Sequence, residues 1–392
     1  MNSGRSVISQ VIGTIHREAL RRLATKYKAE ERVRHFGCRQ QFICMVFAQL
    51  TGRESLRDIE TCLNASQESL YHLGFTAPVA RSTLAEANER RDWRMWEELA
   101  MRLVKRARPL YADEDIGVDI EGCAYALDST TVDLSLSLFP WADFRSTKAG
   151  VKLHTQIDLK GPIPTCIRVS EAAMHDVRWL DELVFEPGCF YIMDRGYMDF
   201  ARLAVIASAS AFFVTRAKDN LRFSRQISRE LSPEDYAAGV CSDQAGRPTA
   251  AKSRAAFPFL LRRIRFHDIE NQRYFVFLTN NLEVDALTIV KLYKLRWLIE
   301  LFFKWIKGHL RIKHYYGTSA NAVKTQIWTA MAAYLMVAIL HKELKLPGTL
   351  HRTLQLLSVH PFSKVPVNEL LMQNDFHSYQ PHVRNQLTLF DL

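Results

Sequence analysis

Apolar residues recur at helical spacing through the first part of the chain. Ile8, Ile12, Ile15 and Leu20 mark one stripe and Phe42–Leu50 another, and the stretches Ser55–Leu73 and Ser82–Val104 each read as an amphipathic helix. A helical region over residues 1–112 is predicted. The pattern then changes. The runs CAYALDSTTVDL (Cys123–Leu134), VKLHTQIDL (Val151–Leu159) and PTCIRVSEA (Pro164–Ala172) are short, rich in β-branched residues and bounded by Gly and Pro, so they predict strands. Asp176 is a good N-cap for a helix DVRWLDELVF, closed by Pro187-Gly188. A strand Phe190–Asp194, a helix from Asp199 to about Ser208 and a strand Ala211–Thr215 follow. Three strands and then an alternation of helix and strand predict an α/β fold with a mixed sheet. From Lys218 to Asn281 this rhythm is lost. The runs Leu260–His267 and Arg273–Leu278 there are β-like and joined by the polar turn DIENQ. After Asp285 one long helix is predicted to about Leu310, with mostly helical sequence beyond it.

The apolar stretch Ile327–Leu340 has 14 residues. A membrane span needs about 20, so a buried core helix is the better reading. No continuous apolar segment follows the N-terminal methionine, and a secretory signal is not expected. The 392 residues, 48% of them hydrophobic and 24% charged, suit a globular protein of two or three folding units and exclude disordered, collagen-like and disulfide-stapled classes. Seven dispersed cysteines without a CxxC pair point to reduced thiols in a cytoplasm and give no zinc spacing. The net charge is +10, and residues 1–112 hold 19 basic against 12 acidic residues. Such a balance favours a polyanionic partner.

Candidate chemistry begins with two acids at strand ends, Asp128 in ALDSTT and Asp194 in YIMDRGY. Acids after buried β-runs lie at a sheet edge, a common place for metal ligands, although Asp also ends strands as a turn former. The sequence KLYKLRWLIELFFKWIKGHLRIK adds a third element. Tyr293, Arg296, Glu300, Lys304 and Lys307 are spaced 3, 4, 4 and 3, which places them on one helical face. Leu295, Leu298, Leu301, Phe302, Trp305 and Ile306 take the other sides, for burial. Between Lys291 and Lys313 there are seven Lys or Arg and a single acid, Glu300. A solvated basic face does not explain a lone carboxylate set among cations; a site holding both a metal and a phosphate backbone does.

The pattern Y-x2-R-x3-E-x6-K, met at Tyr293, Arg296, Glu300 and Lys307, resembles that of the IS4 family of bacterial DDE transposases. ALDST and DRGY resemble that family's first and second acid boxes, FLTNN (Phe277–Asn281) the segment leading into its last helix, and RSTLAEANERRDW (Arg81–Trp93) a stretch of its N-terminal region. The resemblance spans residues 5–320. It implies an RNase H-like core in which Asp128, Asp194 and Glu300 are catalytic and bind two Mg²⁺ ions, with Mn²⁺ able to substitute. Hard divalent ions prefer carboxylate oxygens, and a pair of them about 4 Å apart stabilises both the attacking and the leaving oxygen of an in-line displacement at phosphorus. It further implies phosphate contacts by Tyr293, Arg296 and Lys307, joined by Lys304, and hydrolysis at the ends of a mobile element followed by joining of the 3′-OH ends to target DNA. The partners so implied are double-stranded DNA (terminal inverted repeats and target) and a second copy of the chain, in a bacterial cytoplasm on the nucleoid, without a membrane.

The 106 residues from Asp194 to Glu300 exceed a bare core, and the family places a mostly β insertion there. The expected division is a helical DNA-binding region 1–112, a first core part 113–217, a β-rich insertion 218–284, the last core helix 285–320 and a helical C-terminal region 321–392. Relatives that use a DNA hairpin hold a flipped base with an insertion-domain Trp. No Trp lies between Trp179 and Trp297, so stacking falls to Phe223, Tyr236 or Tyr274, or the hairpin route is not used.

Other candidates have plainer readings beside them. Lys152 and His154 either line the site beside Asp128 or stand on an ordinary exposed strand face. His175-Asp176 reads as a helix cap rather than a metal ligand. Asp133, Asp143 and Asp158 rival Asp128 as first acid. Trp141, Arg145, Lys148 and Lys152 form a basic loop and strand that suits a DNA backbone or simply water. Ser55–Leu73 followed by Arg81–Ala87, with Ser82 as cap and Thr83, Glu86 and Arg90 exposed, suits a helix-turn-helix with Arg81 and Arg90 on DNA, or else a helical docking domain. A stand-alone metal-dependent nuclease and an inactive DNA-binding descendant are the rival functions.

Overall fold

The computed structural model describes residues 4–31, 33–134, 139–145, 148–161, 163–309 and 315–372. Ten strands form one sheet: β1 Ala124–Leu134, β2 Asp143–Arg145, β3 Lys148–Asp158, β4 Ile163–Glu171, β5 Phe190–Met193, β6 Phe212–Arg216, β7 Phe223–Arg229, β8 Val240–Pro248, β9 Leu261–Asp268 and β10 Arg273–Thr279. β3 lies antiparallel between β1 and β4, while β5 and β6 run parallel to β1 and to each other. The order β4-β3-β1-β5-β6 fits the expected RNase H-like arrangement of three antiparallel strands beside two parallel ones. β10, β9, β8 and β7 then extend the same sheet beyond β6, all antiparallel.

Alternation along β1 sends successive side chains to opposite sheet faces. Tyr125 and Leu127 join Trp179, Tyr191, Met193 and Leu203 in one core layer. Ala124 and Ala126 join Phe190, Ile192, Leu292, Ile299 and Phe302 in the other, beneath the helices Ala286–Leu295 and Trp297–His309. That second layer continues into the helical part of the molecule. Its spine is the helix Ala320–Glu343, long and apolar enough to cross a bilayer but with 94% of its apolar window buried inside the protein. The helices Cys38–Thr51, Arg81–Arg90 and Arg94–Leu110 pack around it. Asn321 Nδ2 donates to the Asn88 and Arg91 carbonyls, and Tyr111 donates its hydroxyl hydrogen to Ala338 O.

Four predicted helices differ from what forms. Ser55–Leu73 breaks into Leu56–Asn64 and Gln67–Leu73. Ser82–Val104 breaks into Arg81–Arg90 and Arg94–Leu110, because Arg91 turns extended and its buried guanidinium is held by the Phe36 and Gly37 carbonyls and by Gln41. The cap of Arg81–Arg90 is Ala80, without a side-chain bond, and not Ser82. DVRWLDELVF forms only a 3₁₀ turn, Asp176–Glu182, capped at His175, because the Asp176 carboxylate is turned into the sheet and satisfies no helix N–H. The long helix after Asp285 tightens at Arg296, whose N–H bonds the Tyr293 carbonyl three residues back, and restarts at Trp297. Asp199 does cap its helix, accepting from Arg202 N–H at 3.1 Å.

Candidate active site

The pairing of β1 with β5 stops at Leu127 opposite Met193. Asp128 and Asp194 are the next residues on two adjacent parallel strands, which lie about 4.8 Å apart. Since Leu127 and Met193 fill one core layer, both acids turn to the other face, toward the helix Trp297–His309. Asp128 accepts its neighbour's Ser129 N–H at 2.8 Å. Asp194 caps the turn Arg195–Tyr197 by accepting the Gly196 N–H at 2.8 Å. A Cβ on Gly196 would stand 2.9 Å from Asp194 Oδ1, so the glycine of DRGY is what lets the carboxylate approach this backbone.

Arg296 ties the third acid to the first. Its Nη1 lies 3.2 Å from Asp128 Oδ2, and its Nη2 donates to Glu300 Oε1. Burial pushes the Asp128 carboxyl up to about 6; the Ser129 N–H and Arg296 pull it down, and the negative charges of Asp194 and Glu300 push it up again. Asp128 therefore feels the charge of both other acids. Among the described residues, no three His, Cys, Asp or Glu side chains enclose a ready metal cage, and Arg296 bridges Asp128 and Glu300. The donor set is all carboxylate, which suits a hard divalent ion.

The rest of the expected face divides. Tyr293 is half-buried against Phe277, ring centroids 4.8 Å apart, with the Arg296 guanidinium 5.7 Å over its ring. Lys307 Nζ donates to Thr131 O at 2.6 Å, on the continuation of β1. Lys304 is exposed. The buried stripe is Ile299, Phe302, Phe303 and Ile306, whereas Leu301 and Trp297 face outward, 43% and 57% exposed; three- and four-residue steps from Ile299 account for the difference. Arg81 and Arg90 stand on the exposed side of the helix Arg81–Arg90, with Arg90 paired to Glu86 at 2.7 Å. This face belongs to the helical region and the structure does not bring it into the acid cluster.

Lys152 and His154 are not an exposed face. They sit opposite Thr131 and Ser129 on β1, hence on the sheet face away from Asp128, and His154 is fully buried against Trp179. Lys152 Nζ lies 3.0 Å from Asp176 Oδ1, and the same oxygen accepts the Ser129 hydroxyl at 2.6 Å. Asp176 is thus neither a cap nor a ligand of the acid cluster; it fastens the strand one residue past Asp128. Of the rival acids, Asp158 pairs with Arg108 at 3.6 Å and Asp133 is exposed, while the side chains of Asp143, Arg145 and Lys148 lie outside the described residues. Trp141 is spent on the Thr318 carbonyl at 2.6 Å.

Sequence reasoning missed two side chains here. Arg216, at the end of β6, lies over the Phe275 ring at 4.7 Å and, with Arg296, pulls down a Tyr293 hydroxyl that burial pushes up. Its signal was only a cation ending a buried strand. Tyr197, the last residue of DRGY, is buried, and its hydroxyl faces the charges of Asp128, Asp176 and Asp194, which together with burial hold its pKa well above the ordinary value.

Known transposases are similar to much of this chain. Residues 120–336 match the family model of the transposase DDE domain, and residues 3–76 match that of a domain of unknown function. A putative transposase of Sinorhizobium fredii is 32% identical over 262 residues, covering 65% of this chain and 70% of the relative. A putative transposase for insertion sequence element IS4SA of Synechocystis is 26% identical over 270 residues, 66% and 71% of the two chains. A probable transposase for insertion sequence element IS5377 of Geobacillus stearothermophilus is 28% identical over 221 residues, 56% and 57% of the two chains. With the family model matching more than half of its length, the chain belongs to the DDE transposases, in the IS4 family of insertion-sequence enzymes.

Proposed function

We propose that Asp128, Asp194 and Glu300 are the catalytic acids of this DNA transposase and hold two divalent ions, Mg²⁺ in the cell, with Mn²⁺ as a working substitute. The observation that carries this reading is the placement of Asp128 and Asp194 one residue past the last paired position of neighbouring parallel strands, with Glu300 joined to Asp128 through Arg296. When bound, the ions neutralise phosphodiester charge and activate the attacking oxygen. The protein's own groups do the rest. Arg296 leaves the carboxylates for a DNA phosphate, Tyr293 and Lys307 flank the same backbone, Lys304 reaches it from the exposed side of the helix, and Arg81 and Arg90 contact the element ends from the helical region.

Chemistry of this kind cuts element ends by hydrolysis and then uses the freed 3′-OH on target DNA, with a dimer of the chain bridging two ends. The divisions at residues 112, 217, 284 and 320 stand with this reading, the segment 218–284 being the β-rich insertion. Of the base-stacking residues offered above, Phe223 and Tyr274 lie on the sheet face away from the acids and Tyr236 is exposed on the short helix Pro233–Ala237; Phe275, beside Arg216, is an aromatic on the acids' side of the extension.

Glu300→Ala tests the assignment. Metal-dependent nicking and strand transfer are lost while binding to end DNA is retained; binding lost as completely as cleavage contradicts it. An end-joining assay separates a transposase from a nuclease with the same core, since the nuclease cuts without inserting the released end.

A further inference from the structure

We propose that the face of β7–β10 turned away from Asp128 and Asp194 is a second DNA surface, on which Arg225, Arg263 and Arg265 grip the phosphate backbone of a duplex segment other than the one presented to the acids. The inference rests on the transposase reading and extends it to a separate site.

Register fixes the face. Arg263 is opposite Leu278 and Gln244, and Arg265 opposite Val276 and Ser242. Leu278 and Leu261 belong to the core layer of Tyr125 and Leu127, whereas Ile264, Phe266 and Phe277 belong to the layer under the Glu300 helix. Arg225 is opposite Gly246, itself opposite Leu261, and so shares the face of Arg263. Like charges are here held together rather than dispersed: burial lowers the basicity of Arg263, and the charges of Arg265 and Arg225 lower it further. None of the three belongs to an ion pair among the described residues, and Arg263 donates instead to the neutral Gln244 amide oxygen.

The plain alternative is a charged rim that keeps a sheet edge from pairing. Only β7 is an edge strand of this part of the sheet, so Arg263 and Arg265 on β9 have no edge to protect. They are also held in place. The Arg263 guanidinium lies 4.4 Å over the Phe223 ring and that of Arg265 5.2 Å over Tyr274, which is stacked in turn on His267 at 4.4 Å. The rings thus seat the guanidinium groups rather than standing apart from them. The surface therefore suits a phosphate backbone, read without regard to sequence.

The full-length triple variant R225Q/R263Q/R265Q tests this, with random-sequence duplex DNA titrated over a KCl series. Each duplex phosphate contact contributes about −0.9 to the slope of log K against log salt, so the slope should flatten by about two to three. R225K/R263K/R265K, which keeps the charge, should restore it and so separates charge from packing. A triple variant that retains the wild-type slope while Arg296→Gln flattens it overturns the second surface and leaves the transposase reading in place. If neither variant changes the slope, the second surface and the proposed Arg296 phosphate contact are both overturned, and the Glu300→Ala test still decides the catalytic assignment.

Discussion

The guanidinium of Arg296 lies 3.2 Å from the carboxylate of Asp128, on ground that a divalent ion would need if Asp128 holds one as proposed. The same guanidinium also binds Glu300, so one cation holds two of the three proposed ligands together while keeping a divalent ion from both.

Arg296→Gln should therefore tighten Mn²⁺ binding to the DNA-free protein. Removing a competing positive charge worth about 1 kcal/mol corresponds to roughly fivefold in affinity. The same variant should bind DNA more weakly, with a salt slope flatter by about one counterion. Titration followed by Mn²⁺ paramagnetic resonance measures the first and duplex binding over a KCl series the second. Unchanged or weaker Mn²⁺ binding would mean that Arg296 positions the acids rather than excluding the ion.

The β7–β10 extension depends on a buried ion pair. Arg262 is 1% exposed and Asp243 4%, and the guanidinium meets the carboxylate in two parallel bonds of 2.9 and 2.6 Å. Asp243→Ala leaves the Arg262 charge buried with only the Asn281 and Val284 carbonyls. Loss of one partner of a buried pair costs about 3–5 kcal/mol. Hydrogen exchange should show β7–β10 losing protection while β1 and β3 keep theirs. Uniform protection across the sheet would contradict this.

What the sequence disclosed and what it hid follow from the range of the interactions. Asp128 and Asp194 were legible because a strand end is a local event, and Glu300 because helical spacing joins it to Tyr293 and Arg296 within two turns. The interruption of that helix at Arg296 was not legible, since the apolar period runs through it without a break. Lys152 and His154 looked solvated because two alternating polar residues ordinarily are; only Trp179 and Asp176, brought across from outside the strand, bury the imidazole and neutralise the lysine. β7 gave no strand pattern because it is almost wholly exposed and carries Ser, Arg and Gln where a half-buried strand alternates.

Asp176 anchors β1 from behind the acids, and its removal should act on the site at a distance. Asp176→Ala deprives the Ser129 hydroxyl and the nearly buried Lys152 ammonium of their shared partner. Unmade bonds of this kind cost about 1–3 kcal/mol. The strand that carries Asp128 loosens, and nicking should fall while the Mn²⁺ concentration needed for half-maximal rate rises. Asp176→Asn, which still accepts from Ser129, should recover much of the metal dependence. Identical metal dependence in wild type and Asp176→Ala would confine the residue to a purely structural role.

His154 gives the fold a pH dependence of definite sign. The ring is wholly buried, tilted against Trp179 with centroids 5.6 Å apart and bonded through Nε2 to Ser170 Oγ at 2.9 Å. Burial lowers its pKa from 6.5 to about 4; the Asp176 carboxylate opposes the shift, and the charges of Lys152 and Arg168 add to it. Because the folded value lies below the unfolded one, the unfolded chain takes up the proton first as pH falls. The neutral ring's contribution is complete above about pH 6.5 and is lost progressively down to about pH 4, where it has cost roughly 3 kcal/mol. His154→Gln has no proton to gain, so the difference in urea-unfolding free energy between variant and wild type should move in the variant's favour from pH 7.5 to pH 4.5. Groups that titrate in both proteins cancel in that difference. A difference that stays constant over this range would show that the ring keeps its ordinary pKa in the folded chain.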